Sequence, residues 1–252
     1  MSKPDDSLDE PYDQPPDGPR GAQRSTHSPV EMSFSRISSL QDQLDETTQR
    51  TRSLVPPEKL APSELAVAEL FATGIEERIL PVGAQAPEFS LPDAAGRMVR
   101  STDLLALGPL VVNFFRGRWC SYCVQELEAW QRLYPLVRKQ HAILIGISPQ
   151  TIRHNSFAAS QHKLAFPLLS DEGVWIARKF GLDYTVPDYL RRYYRSILVN
   201  IPFVNGEQSW RLPLPATYVI AQDSTILYAR AYADFRVRPE PGHVLSAIPH
   251  SK

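Results

Sequence analysis

Hydrophobic positions change period several times along this chain, and each change predicts an element. Ile37, Leu40 and Leu44 recur at spacings of three and four, predicting an amphipathic helix over 37–50 with a thin apolar stripe. Pro56 and Pro57 are expected to end it. A stronger stripe, Val67, Leu70, Phe71, Ile75 and Ile79, predicts a second helix with Pro62 near its start. The first stripe is too narrow to fold alone. The pair is therefore expected to pack on the rest of the chain as an extension, or to join two subunits as a homodimer. Residues 80–101 read as a loop and hairpin: Phe89 and Leu91 alternate, Asp93-Ala94-Ala95-Gly96 turns, and Met98-Val99 return. Thr102 is expected to cap a short helix through Asp103-Leu104-Leu105-Ala106, which Gly108-Pro109 stops.

The run Val111, Val112, Phe114, Phe115, broken only by Asn113, is short and β-branched enough to be a buried strand. Past the turn Arg116-Gly117-Arg118, the pattern Val124, Leu127, Trp130, Tyr134, Val137 predicts a helix. Further on, 141–148 and 166–170 read as strands. Helices are predicted after Pro149, over 173–181 and over 188–199, where Arg191, Arg192 and Arg195 are expected to form a solvated face. Asn205-Gly206 reads as a turn, 214–221 and 225–231 as paired strands, and 240–248 as a last helix. Strands alternating with helices and then a hairpin imply an α/β fold with a mixed central sheet.

Composition adds boundaries. Residues 1–35 are rich in Pro, Asp, Ser and Gln and poor in large apolar residues, so they are expected to form a solvated, disordered tail. The extension then spans 36–80 and the main domain 81–250. Of the 252 residues, 42% are hydrophobic and 22% charged, ordinary for a globular protein. A net charge of −1 makes no electrostatic case for nucleic acid or an anionic membrane. No apolar run approaches the ~20 residues of a membrane helix. The first residues lack a basic-then-apolar signal, so the expected compartment is the cytoplasm.

The candidate chemistry lies between the central strand and its helix, at Trp119-Cys120-Ser121-Tyr122-Cys123. Cys120 falls at the helix N-terminus, where free N–H groups favour a thiolate. Cys123 lies one turn deeper on the same face, within reach of a small disulfide ring. Zinc would need four ligands, and the chain has two cysteines and no closely spaced histidine pair. Inert buried cysteines are the other plain reading, against which the flanking Trp119, Arg116 and Arg118 argue. Thiol redox chemistry without a metal or cofactor follows. The two arginines are expected to sit in solvent at the turn.

Two motifs together carry a resemblance. Strand-Trp-Cys-x-x-Cys-helix, with Leu214-Pro215-Ala216-Thr217-Tyr218-Val219-Ile220 downstream, resembles the thioredoxin superfamily, in which a cis-proline before a strand faces the nucleophilic cysteine. The order of VGAQAPEFSLPDAAGRMVRSTDL, GPLVVNFFRGRWCSYCVQEL, AILIGISPQ, FPLLSDEGVWIARKFGL and LPATYVIAQDSTILYARAYADFRVRPEP is similar to peroxiredoxins of the alkyl hydroperoxide reductase / thiol-specific antioxidant group. A thioredoxin-like fold is implied, with a helical N-terminal extension. Those peroxiredoxins usually carry Pro-x-x-x-Thr-x-x-Cys and an Arg before Ala-Thr-Phe. Here Asn113, Gly117 and Pro215 stand at those places.

The resemblance implies peroxide reduction. Cys120 would attack the O–O bond, Cys123 would resolve the sulfenic acid as a disulfide, and an external thiol reductant of the thioredoxin or glutathione type would reopen it. Trp119, Gly117, Arg116, Arg118, Pro215 and Thr217 are the residues expected to bind substrate or shape the site. A thioredoxin-like disulfide reductase uses the same two cysteines on a different electrophile. A non-catalytic redox-fold binding module is the third reading.

Overall fold

A computed structural model of the chain describes residues 39–249; the expected tail over 1–35 lies outside them. The elements follow in chain order. Helices α1 (Leu40–Leu54) and α2 (Pro57–Ala72) lead through a 3-10 turn (Ile75–Glu77) to the hairpin β1 (Ser90–Pro92) and β2 (Met98–Arg100). Then come α3 (Ser101–Leu107), β3 (Leu110–Phe114), α4 (Ser121–Lys139), β4 (Ile143–Ser148), α5 (Ile152–Gln161), β5 (Leu168–Ser170) and α6 (Trp175–Lys179). The last part holds β6 (Asp183–Thr185), α7 (Asp188–Ser196), α8 (Ile201–Asn205), β7 (Arg211–Pro213), β8 (Ala216–Ile220), β9 (Ile226–Ala231) and α9 (Pro241–Leu245).

The central sheet has the order β5-β4-β3-β8-β9. Strand β3 is parallel to β4 and antiparallel to β8, so the sheet is mixed, as the alternation of elements implied. Strand β3 is buried along its whole length, and its side chains alternate between two cores. Leu110, Val112 and Phe114 enter one with Ile145, Ile147 and Tyr218. Val111 and Phe115 enter the other with Leu127 and Trp130 of α4. The same alternation turns Asn113 toward α4, which decides the polar architecture beneath the cysteines.

Several local expectations are corrected. Arg100, not Thr102, takes the cap position of α3, and it makes no side-chain cap bond; the helix starts one residue before Thr102. Pro57 ends nothing: it occupies the first turn of α2, where a missing N–H costs no helical bond, and Pro62 lies inside that helix. Asn205-Gly206 is the end of α8, with Gly206 at φ 72 closing it. The short pair β6 and β7, antiparallel, was not anticipated, because three-residue strands carry too little pattern.

The extension reverses the expected ranking of its two helices. Helix α1, with the thin stripe, is capped by a reciprocal Ser39–Asp42 pair and buries Leu40 and Leu44 against Ala129 and Tyr122 of α4. Helix α2, with the stronger stripe, buries no side chain, and Phe71 is 66% exposed. Its half-buried Leu70 and Ala66 pack on two core clusters, and polar tethers add to them, Glu64 to Arg236 at 2.6 Å and Tyr189 to Glu69 at 2.5 Å.

Among the described residues no helix is long and apolar enough to cross a membrane.

Candidate active site

Strand β3 delivers the chain to the site. After it, Phe115 still bonds to the Ile147 carbonyl at 3.0 Å, and Gly117 then turns at φ 145. A Cβ on Gly117 would lie 2.6 Å from the Trp119 indole nitrogen, so both conformation and space call for glycine. The Arg118 backbone N–H donates to Gln150 Oε1 at 2.9 Å, and the Cys120 N–H donates to the Gly117 carbonyl at 3.1 Å. Gln150 itself donates to Asn155 Oδ1 at 2.9 Å, within a buried cluster with Ser148 and Ser170. This fixed turn sets Cys120 at the N-cap of α4, with Cys123 in its first turn.

The two sulfurs lie 2.9 Å apart and both residues are free thiols. Cys120 is only 5% exposed, enclosed by the aromatic side chains of Trp119, Tyr122, Tyr194 and Phe235. Burial works against its thiolate. The S–H bond from Cys123, the Arg116 and Arg238 guanidiniums and the Cys123 backbone N–H outweigh it, and the pKa falls to about 6. Burial, its bond to Cys120 and the Cys120 charge push Cys123 in the opposite direction, well above the ordinary thiol value.

Arg116 is 2% exposed, not a solvated turn residue. The turn folds it inward, its guanidinium 4.8 Å from the Trp119 ring and 4.3 Å from Phe235. One η nitrogen bonds to the Tyr194 hydroxyl, while Nε and Nη1 have no acceptor among the described residues. Arg118 points elsewhere, over Phe157 of α5 at 4.7 Å. Trp119 packs edge-on to Tyr194 at 5.2 Å.

Below Cys123 runs a polar chain that sequence reasoning missed. Arg238 Nη2 lies 3.5 Å from the Cys123 sulfur, and its Nε donates to Glu126 Oε2 at 2.7 Å. The other carboxylate oxygen of Glu126 accepts from Asn113 Nδ2 at 2.9 Å, and Asn113 also donates to Thr217 at 3.3 Å. Burial pushes the Glu126 carboxyl up to about 7 against the pull of Arg238. Thr217 thus joins the site through Asn113. Pro215 is buried just before β8, one residue past the Phe114–Ala216 pair.

A pocket of about 200 Å³ opens on Cys120. Its walls include Trp119, Tyr122, Tyr193, Tyr194 and Phe235, with Thr48, Leu60 and Glu64 from the extension. The arginine-rich α7 therefore supplies wall through its tyrosines; Arg192 and Arg195 face solvent as expected, but Arg191 is half-buried and its Nε donates to the Val186 carbonyl at 2.8 Å. Among the described residues no cluster of three His, Cys, Asp or Glu is grouped to hold a metal ion.

Residues 82–229, more than half of the chain, match the AhpC/TSA family. Thiol-disulfide oxidoreductase ResA of Geobacillus thermodenitrificans (strain NG80-2) is 30% identical over 109 residues, covering 42% of this chain and 61% of that protein. Chloroplastic peroxiredoxin Q of Gentiana triflora is 32% identical over 130 residues, covering 52% and 55%. The chain thus spans somewhat over half the length of these curated relatives. In structure it is similar to peroxidoxin BcpB from Mycobacterium tuberculosis, with a TM-score of 0.52, 23% identity, and coverage of 67% of this chain and 96% of that one. The expected thioredoxin-like fold is the one observed.

Proposed function

This chain belongs to the AhpC/TSA family, and on that premise we propose that it is a thiol peroxidase in which Cys120 attacks and Cys123 resolves. One observation carries the reading: the buried Cys120 lines a pocket of about 200 Å³ together with Arg116, whose charge, with the Cys123 S–H bond, favours its thiolate. The Cys120 thiolate attacks one peroxide oxygen, forming an S–O bond as the O–O bond breaks. The leaving oxygen departs as alkoxide or hydroxide, stabilised by Arg116, and takes a proton to become alcohol or water. Cys120 is then a sulfenic acid. Cys123 loses its proton beside Arg238 and attacks that sulfur, forming the disulfide as hydroxide leaves and is protonated to water. An external dithiol supplies the two electrons and two protons that restore both thiols; thioredoxin-type proteins fit that role.

Arg116 and Asn113 offer a physical answer to the departures at the usual peroxiredoxin positions. Gly117 has no hydroxyl to steady a thiolate, and Arg116, one residue earlier, brings a full charge. The likeness to ResA supports a second reading, disulfide reductase. The enclosure of Cys120 favours a small electrophile over a protein disulfide. Stopped-flow oxidation of the reduced protein by hydrogen peroxide, an organic hydroperoxide and a small disulfide separates the two, with Cys120→Ser as control. Fast reaction with a peroxide supports the peroxidase; preference for the disulfide replaces it.

A further inference from the structure

The pocket that opens on Cys120 has a wall from outside the family-matched stretch. That stretch is 82–229, whereas Thr48, Thr51, Arg52, Leu60, Ser63 and Glu64 reach the pocket from α1 and α2. Two ion pairs fix this wall in place. Arg52 to Glu64 at 3.1 Å joins the two helices, and Glu64 to Arg236 at 2.6 Å joins them to the segment after β9. The threonines are already bonded within the protein: Thr48 to the Leu44 carbonyl at 2.9 Å and the Tyr122 hydroxyl at 3.1 Å, Thr51 to the Thr47 carbonyl at 2.8 Å. The Tyr194 hydroxyl likewise accepts from Arg116. Apolar surface makes up much of the rest. Leu60, half-buried near the start of α2, is the apolar side chain that the extension contributes, and the rings of Trp119, Tyr122, Tyr193 and Phe235 join it. At about 200 Å³ the space exceeds the roughly 150 Å³ of an apolar cavity that takes up benzene. Hydrogen peroxide has no apolar surface and gains nothing from such walls. A hydroperoxide carrying a ring buries it against them.

Resting on the thiol peroxidase reading, we propose that α1 and α2 are the specificity element of this chain. They complete a ring-sized chamber beside Cys120 that selects an arylalkyl hydroperoxide over hydrogen peroxide, and Leu60 is the residue that sets its size. The chemistry is unchanged: the thiolate sulfur bonds to the terminal oxygen, the O–O bond breaks, and the alkoxide takes a proton and leaves as the alcohol. Selection acts through the ring, which is held while the oxygen is attacked, so it shows in the second-order rate of Cys120 oxidation.

The probes are cumene hydroperoxide, tert-butyl hydroperoxide, which lacks the ring, and hydrogen peroxide. Stopped-flow fluorescence follows the oxidation of reduced full-length protein by each, and each rate is divided by that of free cysteine thiolate with the same peroxide, which removes the peroxide's own reactivity. Cumene hydroperoxide should then exceed tert-butyl hydroperoxide about tenfold, and hydrogen peroxide by more. In Leu60→Trp, which fills the chamber, the ratio of the cumene hydroperoxide rate to the hydrogen peroxide rate should fall about tenfold. In Leu60→Ala, which removes apolar wall, it should fall about threefold. Melting curves decide which variants are folded and used. A corrected hydrogen peroxide rate equal to or above that of cumene hydroperoxide, or a ratio unmoved in the folded variants, would overturn the specificity element and leave the peroxidase reading standing. Slow oxidation by all three peroxides would overturn both.

Discussion

Two buried arginines flank the cysteine pair, and they differ in one respect. Arg238 is held by a carboxylate, Glu126, at 2.7 Å, and caps two backbone carbonyls, those of Phe235 and Val237. Arg116 has no carboxylate partner among the described residues; aromatic faces and one tyrosine hydroxyl surround it. A paired guanidinium spends most of its field on its partner, while an unpaired one directs it at the nearest group able to ionise. Burial pushes the Tyr184 and Tyr194 hydroxyls, which also act on Arg116, further up, so near neutral pH that group is the Cys120 thiol. The contrast assigns Arg238 mainly to structure around Cys123, and Arg116 mainly to reactivity at Cys120.

The largest effect expected from breaking this division is on stability. Glu126→Leu leaves Arg238 charged, buried and unpaired, and should cost about 3–5 kcal/mol in chemical denaturation. Adding Arg238→Met to it should recover most of the loss, because the pair is then replaced by apolar side chains of similar volume. A double variant as unstable as the single one would show that Arg238 serves more than Glu126.

Next in size is the effect of Arg116→Met on rate. The oxidation of Cys120 by peroxide near pH 6.5 should slow about tenfold or more, through loss of thiolate and of leaving-group stabilisation. Stability should stay within about 1 kcal/mol, since no carboxylate loses its partner. Stopped-flow fluorescence and a denaturation curve on the same preparation test both halves.

A smaller effect separates wild type from Cys120→Ser across pH. The folded pKa of Cys120, about 6, lies below the ordinary thiol value of 9.0. Its stabilising contribution is therefore full above about pH 9 and is lost as pH falls toward about 6. The melting temperature of the reduced protein should gain on that of Cys120→Ser as pH rises through this window. Smallest of all is Tyr194→Phe, which removes a hydrogen bond from Arg116 but keeps the ring against Trp119. A change under about threefold in peroxide rate is expected.

Much of this contrast was hidden in the chain for identifiable reasons. Strand β3, helix α4 and the cysteine pair were legible because periodicity and spacing are local. Glu126 carried a signal that was passed over: it is a charged residue three positions from Cys123, inside the apolar stripe that continues to Leu127 and Trp130. Asn113 carried another, as the polar break in a strand buried on both faces. Arg238 lies 115 positions from Cys123, a distance at which no pattern operates. Arg116 was misjudged because arginines at turns are usually solvated; only the aromatic residues Tyr194 and Phe235, brought in from α7 and the loop before α9, make its burial tolerable. Helix α2 shows the converse. Its stripe was read correctly as apolar, and Ile75 beyond the helix is fully buried in the main core with Leu70 and Ile79 packed on it, but Val67 lines a cavity and Phe71 faces outward.

The central claim is that Arg116, which has no carboxylate partner among the described residues, joins the Cys123 S–H bond in holding Cys120 as a thiolate. Thiolate absorbance of the reduced protein, titrated from pH 4 to 10 in wild type and in Arg116→Met, tests it most directly. The account predicts a wild-type midpoint near the value of about 6, rising by a unit or more (roughly the effect of one nearby opposite charge) when the guanidinium is removed. Coincident titration curves for the two proteins would contradict it.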